Sequence, residues 1–159
     1  MQIEFDVKMT TGKMYDYMLY HMFTSFQGIL GEAIGVMLVA AFVASGKWVY
    51  LVAGVVVMLY LPVALYMNAK KQVLLNPAFK DILHYTLTEE GITIRVGEEE
   101  ESQAWKDMRK AVSTGKSIFI YTSKRGASIF PKEDLGEQKM AVIEMISTHM
   151  EPKKVNIKG

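Results

Sequence analysis

From Phe23 to Met67 the only Asp, Glu, Lys or Arg residues are Glu32 and Lys47, and the remaining charge of the chain is held in the flanking segments. Such a block divides the chain into a part suited to lipid and a part suited to water. A disordered chain could not contain it, and a chain soluble throughout would have too little other material to bury it. The whole, 159 residues with 50% hydrophobic and 22% charged side chains, is otherwise the size of one compact domain.

The block holds two apolar stretches. Phe23 to Ala44 has Thr24, Ser25, Gln27 and Glu32 near its beginning, Ser45-Gly46-Lys47 interrupts, and Trp48 to Met67 is uncharged throughout. At a rise of ~1.5 Å per residue, about 20 residues match the roughly 30 Å hydrocarbon core of a bilayer. Spans joined by so short a turn must be antiparallel helices, because lipid offers the backbone no other hydrogen-bond partners. A secretory signal is opposed by the flank, since the apolar region starts behind Asp6, Asp16 and several tyrosines instead of a short basic region. Trp48 and Tyr50 at one end and Tyr66 at the other suit the two interfaces. Lys8 and Lys13 before the hairpin and Lys70, Lys71 and Lys80 after it outnumber Lys47 in the turn, which predicts that both termini face the cytoplasm. Pro62 is expected to bend the second span near that side.

After Asn76-Pro77 the pattern becomes strand-like. His84–Thr88 and Ile92–Val96 alternate around Glu89-Glu90-Gly91, and Gly97 with Glu98 to Glu101 reads as a turn. Ser102–Trp105, Ala111-Val112, Ser117–Tyr121 and Ala127–Phe130 continue the series, with Ser113-Thr114-Gly115 and Lys124-Arg125-Gly126 as turns. Leu135 to Met150 carries Met140, Val142, Ile143 and Ile146 at helical spacing. At the other end of the chain, Ile3, Phe5 and Val7 alternate with polar residues and have no local partner strand, so they should add an edge to the later sheet. Tyr15, Met18, Leu19 and Met22 then share one helical face. The expected fold class is α+β: a two-helix transmembrane hairpin plus a small antiparallel β-sheet domain closed by a C-terminal helix. The expected organisation is a strand segment at residues 1–9, an amphipathic helix at 10–22, the hairpin at 23–67, a β-rich domain at 78–151 and a flexible tail at 152–159.

Glu32 is the one acidic residue in the hairpin. Mirroring antiparallel helices about Gly46 by equal rises puts it level with Tyr60, whose hydroxyl is then a candidate donor to the carboxyl. Gly31 and Gly35 flank it at small-xxx-small spacing, with Gly28 one turn earlier, and the three are candidates for close helix packing. A polar clasp between helices is one reading of Glu32, and a proton or ion site the other.

The order of a short strand, a Thr-started aromatic helix with Tyr17 and Tyr20-His21, an apolar hairpin and a β-rich tail resembles the YcxB-like family of small bacterial membrane proteins. In the tail, Trp105-Lys106-Asp107, Ser117-Ile118-Phe119-Ile120-Tyr121 and Ile129-Phe130-Pro131-Lys132 carry the resemblance. It implies a multi-pass protein of the bacterial cell membrane whose C-terminal domain is pleckstrin-homology-like, a curved sheet closed by a helix. It implies no reaction and no cofactor.

The residues themselves point to little chemistry. The chain has no Cys, which removes thiol catalysis and Cys-based metal sites, and a formal charge of +1 gives no electrostatic case for nucleic acid. His21, His84 and His149 lie on separate elements without close carboxylate or second-His spacing, so no metal site is expected. Glu98 to Glu101 lacks the Asp/Asn and Gly pattern of a calcium loop. Gly115-Lys116-Ser117 ends like a phosphate loop but lacks the preceding glycine and is followed by a strand. Trp105, Phe130 and Lys132 form a candidate interaction lip, set against a packing role for the two aromatics. Lys70, Lys71 and Lys80 are candidate lipid head-group contacts. The expected function is a non-catalytic membrane protein whose cytoplasmic domain docks or regulates another protein, its partners being the bilayer and an unidentified protein. The alternative is an oligomeric transport or proton-linked sensing module using Glu32.

Overall fold

The computed structural model describes residues 2–124 and 126–158. Met1 of the expected N-terminal segment, Arg125 of the Lys124–Gly126 turn and Gly159 of the tail lie outside the described residues.

Strand β1, Ile3–Lys8, is followed by helix α1, Thr11–Phe23. Thr10 caps α1, its hydroxyl accepting from the Lys13 amide at 3.3 Å. Two residues later Ser25 caps α2, Phe26–Ser45, accepting from the Gly28 amide at 3.2 Å. Gly46 ends α2 in the left-handed conformation, at a φ of 69°, where an L side chain would be strained. Helix α3, Trp48–Leu75, returns alongside α2. Both α2 and α3 are long and apolar enough to cross a membrane. The second is longer than expected: it does not stop at Met67 but continues to Leu75, where Asn76 and Pro77 break it. The charged and amide-bearing stretch from Asn68 to Gln72 is helical because Asn, Lys and Gln oppose an apolar surface and not a helix.

Further strands and two short helices complete a β-domain. Strands β2 (Ile82–Leu87), β3 (Gly91–Val96) and β4 (Glu99–Ala104) form an antiparallel meander, and β1 pairs with β2 to give the order β1-β2-β3-β4. The register sets Ile3, Phe5 and Val7 opposite Leu87, Tyr85 and Leu83, and all six side chains are buried. Strands β5 (Lys110–Ser113), β6 (Ser117–Tyr121) and β7 (Ala127–Pro131) make a second antiparallel set. The two sheets share one core, in which Phe130 meets Phe5 and Tyr85 edge-on with ring centroids 5.0 and 4.8 Å apart. Burying each large apolar side chain of this kind contributes roughly 1.5–3 kcal/mol before conformational entropy is counted.

Four expectations need correction. Glu99, Glu100 and Glu101 do not form a turn; only Gly97 and Glu98 turn the chain, and the glutamates run along the edge strand β4, where all three side chains are exposed. The expected continuous helix from Leu135 to Met150 is broken: α4 (Lys132–Leu135) ends at Gly136, whose φ of 51° forces a turn before α5, Lys139–His149. The tail is not free, because Val155–Asn156 adds strand β8 in parallel to β5. Lys158 fastens it, its amide donating to the Ser113 hydroxyl at 2.8 Å and its carbonyl accepting from the Lys132 ammonium at 2.9 Å. Finally, the expected small sheet is two four-stranded sheets, the second ordered β7-β6-β5-β8.

Candidate functional site

The hairpin packs along a glycine seam. A Cβ added at Gly31 would lie 3.0 Å from the Leu61 side chain, and one at Gly35 would overlap Met58. One at Gly54 would lie 3.0 Å from the Gly35 carbonyl oxygen and 2.9 Å from the Val39 side chain, so the two backbones approach closely where neither helix has a side chain. Gly31 and Gly35 therefore lie where α2 faces α3. Gly54, which the sequence reading overlooked, is the glycine of α3 and could have been found as the small residue level with Leu38 in the same mirrored register. Gly28 serves a different contact, since a Cβ there would overlap the Met22 carbonyl at the bend between α1 and α2.

Glu32 and Tyr60 are level but not paired. Successive residues of a helix point about 100° apart, so counting rises sets a level and leaves the direction open. Leu61 faces Gly31, and Tyr60 is turned outward, 68% exposed. Glu32 Oε1 is buried and, among the described residues, without a hydrogen-bond partner.

Helix α1 joins the hairpin to the β-domain. On one side Tyr15 packs edge-on against Tyr66 of α3, with centroids 5.4 Å apart. On the other, Tyr17 and Tyr20 lie 5.4 and 5.6 Å from the Phe119 ring, and the His21 ring is 5.9 Å from that of Tyr121. Polar contacts lock the same face: Lys13 Nζ is 2.6 Å from Asp134 Oδ2, and the Thr114 hydroxyl donates to Asp16 Oδ2 at 2.7 Å. The expected apolar stripe of Tyr15, Met18, Leu19 and Met22 thus describes only part of a helix that is covered from two directions. Burial raises the Tyr17 and Tyr121 phenols above the usual range, and for Tyr121 the neighbouring phenols of Tyr17 and Tyr20 add to the effect.

The expected lip is not a surface. Trp105 is 5% exposed and donates from its indole to the Thr88 carbonyl at 2.8 Å, and Phe130 is 0% exposed in the shared core. Lys132 secures the tail. The structure therefore realises the packing role, because a small domain has few other large side chains with which to fill its centre. The three histidines remain apart, but His84 is not without a carboxylate: its Nδ1 is 2.5 Å from Asp6 Oδ1, the two being register partners across β1 and β2. Local spacing could not show a pair separated by the whole hairpin. Lys70 and Lys71 lie on the exposed end of α3, and Lys80 follows the break, its carbonyl accepting from the Lys8 ammonium.

Two concavities flank α1. One, about 440 Å³, lies at its N-terminus beside Lys13, Lys116 and Lys132, with Asp16 and Glu133 in the same wall. The other, about 470 Å³, lies between α1 and the end of the hairpin.

Residues 87–146, from the end of β2 into α5, match the family model for YcxB-like protein. This segment is similar to that family. The match covers Trp105-Lys106-Asp107, strand β6 and Ile129–Lys132, and leaves β1, α1 and the hairpin outside it. No curated protein and no solved structure matches the chain. The apolar hairpin joined to the YcxB-like segment is consistent with the membrane-protein resemblance read from the sequence.

Proposed function

We propose that this chain is an integral protein of the bacterial cell membrane, crossing it twice, with both termini and a pleckstrin-homology-like β-domain in the cytoplasm. The domain acts as a non-catalytic docking or regulatory module for another membrane or cytoplasmic protein. The observation that carries the reading is the surface of the hairpin: α2 and α3 use their glycines to pack on each other and leave an apolar exterior, with Val56 60% and Leu59 59% exposed. Monomeric soluble proteins rarely expose a continuous apolar surface of this extent, and lipid covers it without further cost. The pleckstrin-homology-like assignment is supported by two sheets sharing a core and by the C-terminal helix α5, whose Val142, Met145 and Ile146 enter that core. Docking is supported by β4, an edge strand with one neighbour and with the Glu99, Glu100 and Glu101 side chains exposed.

Single cysteines at Gly46 and Gly126 test the topology in a chain that has no other cysteine. They are expected to react with an impermeant maleimide from opposite sides of the membrane, Gly46 from outside. Reaction of both from outside rejects the orientation. A photo-crosslinker at Glu100 is expected to capture one protein in native membranes that a crosslinker at Glu144, on α5, does not; equal capture from both positions rejects docking at β4.

A second reading is favoured by Glu32. A carboxyl oxygen buried without a partner is costly, and intramembrane carboxyls often mark proton or ion paths. In this reading hairpins assemble as homo-oligomers and a neighbouring copy completes the site. A Glu32-dependent proton flux in liposomes separates it from docking.

A further inference from the structure

We propose that the groove between α1 and the cytoplasmic end of the hairpin is a binding site for one anionic phospholipid, its phosphate held by Lys71. The inference rests on the transmembrane reading of α2 and α3 and adds a defined site to it.

The groove is two-faced. Its deep wall is apolar, made by Met18 and Met22 of α1 and Leu65 of α3. Its outer wall carries Lys71 together with the amides of Asn68, Gln72 and Gln27, and His21 stands on the α1 side. Among the described residues no carboxylate lines it, in contrast to the cleft at the N-terminus of α1, where Asp16 and Glu133 offset the lysines. Lys71 is exposed, and among the described residues no acidic side chain pairs with it. A cation and three amides with no competing anion present the hydrogen-bond donors that a phosphate requires.

The direction of the polarity fits a lipid better than a soluble anion. From Leu65 to Lys71 the helix rises about 9 Å at ~1.5 Å per residue. A headgroup layer occupies roughly 5–8 Å of each leaflet, the difference between the full bilayer and its hydrocarbon core. The groove therefore passes from an apolar to a cationic lining over about the depth at which a glycerophospholipid changes from acyl chain to phosphate. Below Leu65 the acyl chains would continue along the exposed apolar surface of the hairpin, and a soluble phosphate would have no use for the methionine wall. Lys70, the neighbouring residue, is exposed as well but does not line the groove, which separates a site from general attraction to an anionic surface.

The test uses the full chain, extracted from membranes in mild detergent and reconstituted in nanodiscs of phosphatidylethanolamine with a minority of phosphatidylglycerol. Native mass spectrometry reads the lipid that stays bound. The expected result is one retained phosphatidylglycerol in preference to phosphatidylethanolamine, reduced at least fivefold by Lys71→Glu, unchanged by Lys70→Glu and kept by Lys71→Arg. Lys71→Gln serves in place of Lys71→Glu if the latter fails to fold, with the same reduction expected. Equal loss in the Lys70 and Lys71 variants, retention in all of them, no preference for the anionic lipid, or displacement of the lipid by glycerol phosphate each overturns the proposal. Carbonate extraction of the wild-type chain from native membranes is the separate reading of the hairpin. Release into the soluble fraction refutes the transmembrane reading and this site together, whereas a failed lipid result with the chain still embedded refutes only the site.

Discussion

The Thr114 hydroxyl, in the turn between β5 and β6, donates to the carboxylate of Asp16 on α1 across 2.7 Å, although the two residues are separated by the whole hairpin and strands β2–β5. The same hydroxyl accepts from the amides of Lys116 and Ser117, each at 3.1 Å, so one side chain both shapes the turn and ties it to α1. Thr114→Val keeps the volume and removes all three bonds. It is expected to lower the stability of the full chain by about 1–3 kcal/mol, with Thr114→Ser close to wild type. Thermal unfolding in detergent measures both, and equal stability of the Val and Ser variants would refute the tie.

Strand β1 should be indispensable to the β-domain despite its distance in sequence. Phe5 stacks on Tyr85 at 5.5 Å and meets Phe130 at 5.0 Å, and its loss leaves a cavity beside these two rings. Phe5→Ala is expected to cost about 3–5 kcal/mol, measured by denaturant unfolding of the full chain. Deleting residues 3–8 should prevent the β-domain from reaching its folded near-ultraviolet circular dichroism signal, since β2 would become an open edge over an exposed core. A normal signal after the deletion would show that β1 is dispensable.

Much of this architecture was legible in sequence. The alternation of Ile3, Phe5 and Val7 marks a strand because only a strand sends every second side chain inward, and the charge-free stretch after Lys47 marks a helix that lipid can cover. What escaped depends on direction and on partners distant in sequence. The level of Tyr60 follows from counting, but its outward aim does not. Glu99 to Glu101 read as a turn because charge usually marks loops, whereas an edge strand tolerates charge and uses it to deter pairing. Trp105 and Phe130 offered two readings, and only the packing around them decides for the core. Lys158 looked like part of a frayed end because its partners, Ser113 and Lys132, are reached only after folding.

Buried phenols predict an alkaline limit to stability. Tyr85 keeps its proton well above the usual phenol range because burial penalises the anion, outweighing hydrogen bonds with the Ile129 backbone and the Ser128 side chain that act in the opposite direction. Tyr121 is raised by burial and then by its phenol neighbours. The unfolded chain releases such protons near pH ~10, while the folded chain retains them to higher pH. Above that point the folded state binds more protons than the unfolded state, so stability falls as pH rises. The contribution is complete below about pH 10 and is lost as pH climbs through the raised folded values. Melting temperature against pH is expected to show this decline, made shallower by Tyr85→Phe; an unchanged slope in that variant would remove Tyr85 as a cause.

Glu32 gives the hairpin a test of whether it acts alone. Its Oε1 is buried with no hydrogen-bond partner in the single chain, a state that costs about 1–3 kcal/mol for an uncompensated polar group. If the single chain is the working unit, Glu32→Leu removes that cost and should raise the melting temperature in detergent, with Glu32→Gln near wild type because an amide oxygen is equally unpartnered. If hairpins assemble and a second copy supplies a donor, the order reverses: Leu loosens the assembly and Gln preserves it. Melting temperature and oligomer mass, measured on the same samples, separate the two. The single-chain structure leads to the first outcome, stabilisation by Leu without change of mass. Loss of an oligomer in the Leu variant, with Gln unaffected, would instead identify Glu32 as an intermolecular clasp. Normal assembly of the Gln variant with loss of proton flux would make ionisation of Glu32 the property that matters.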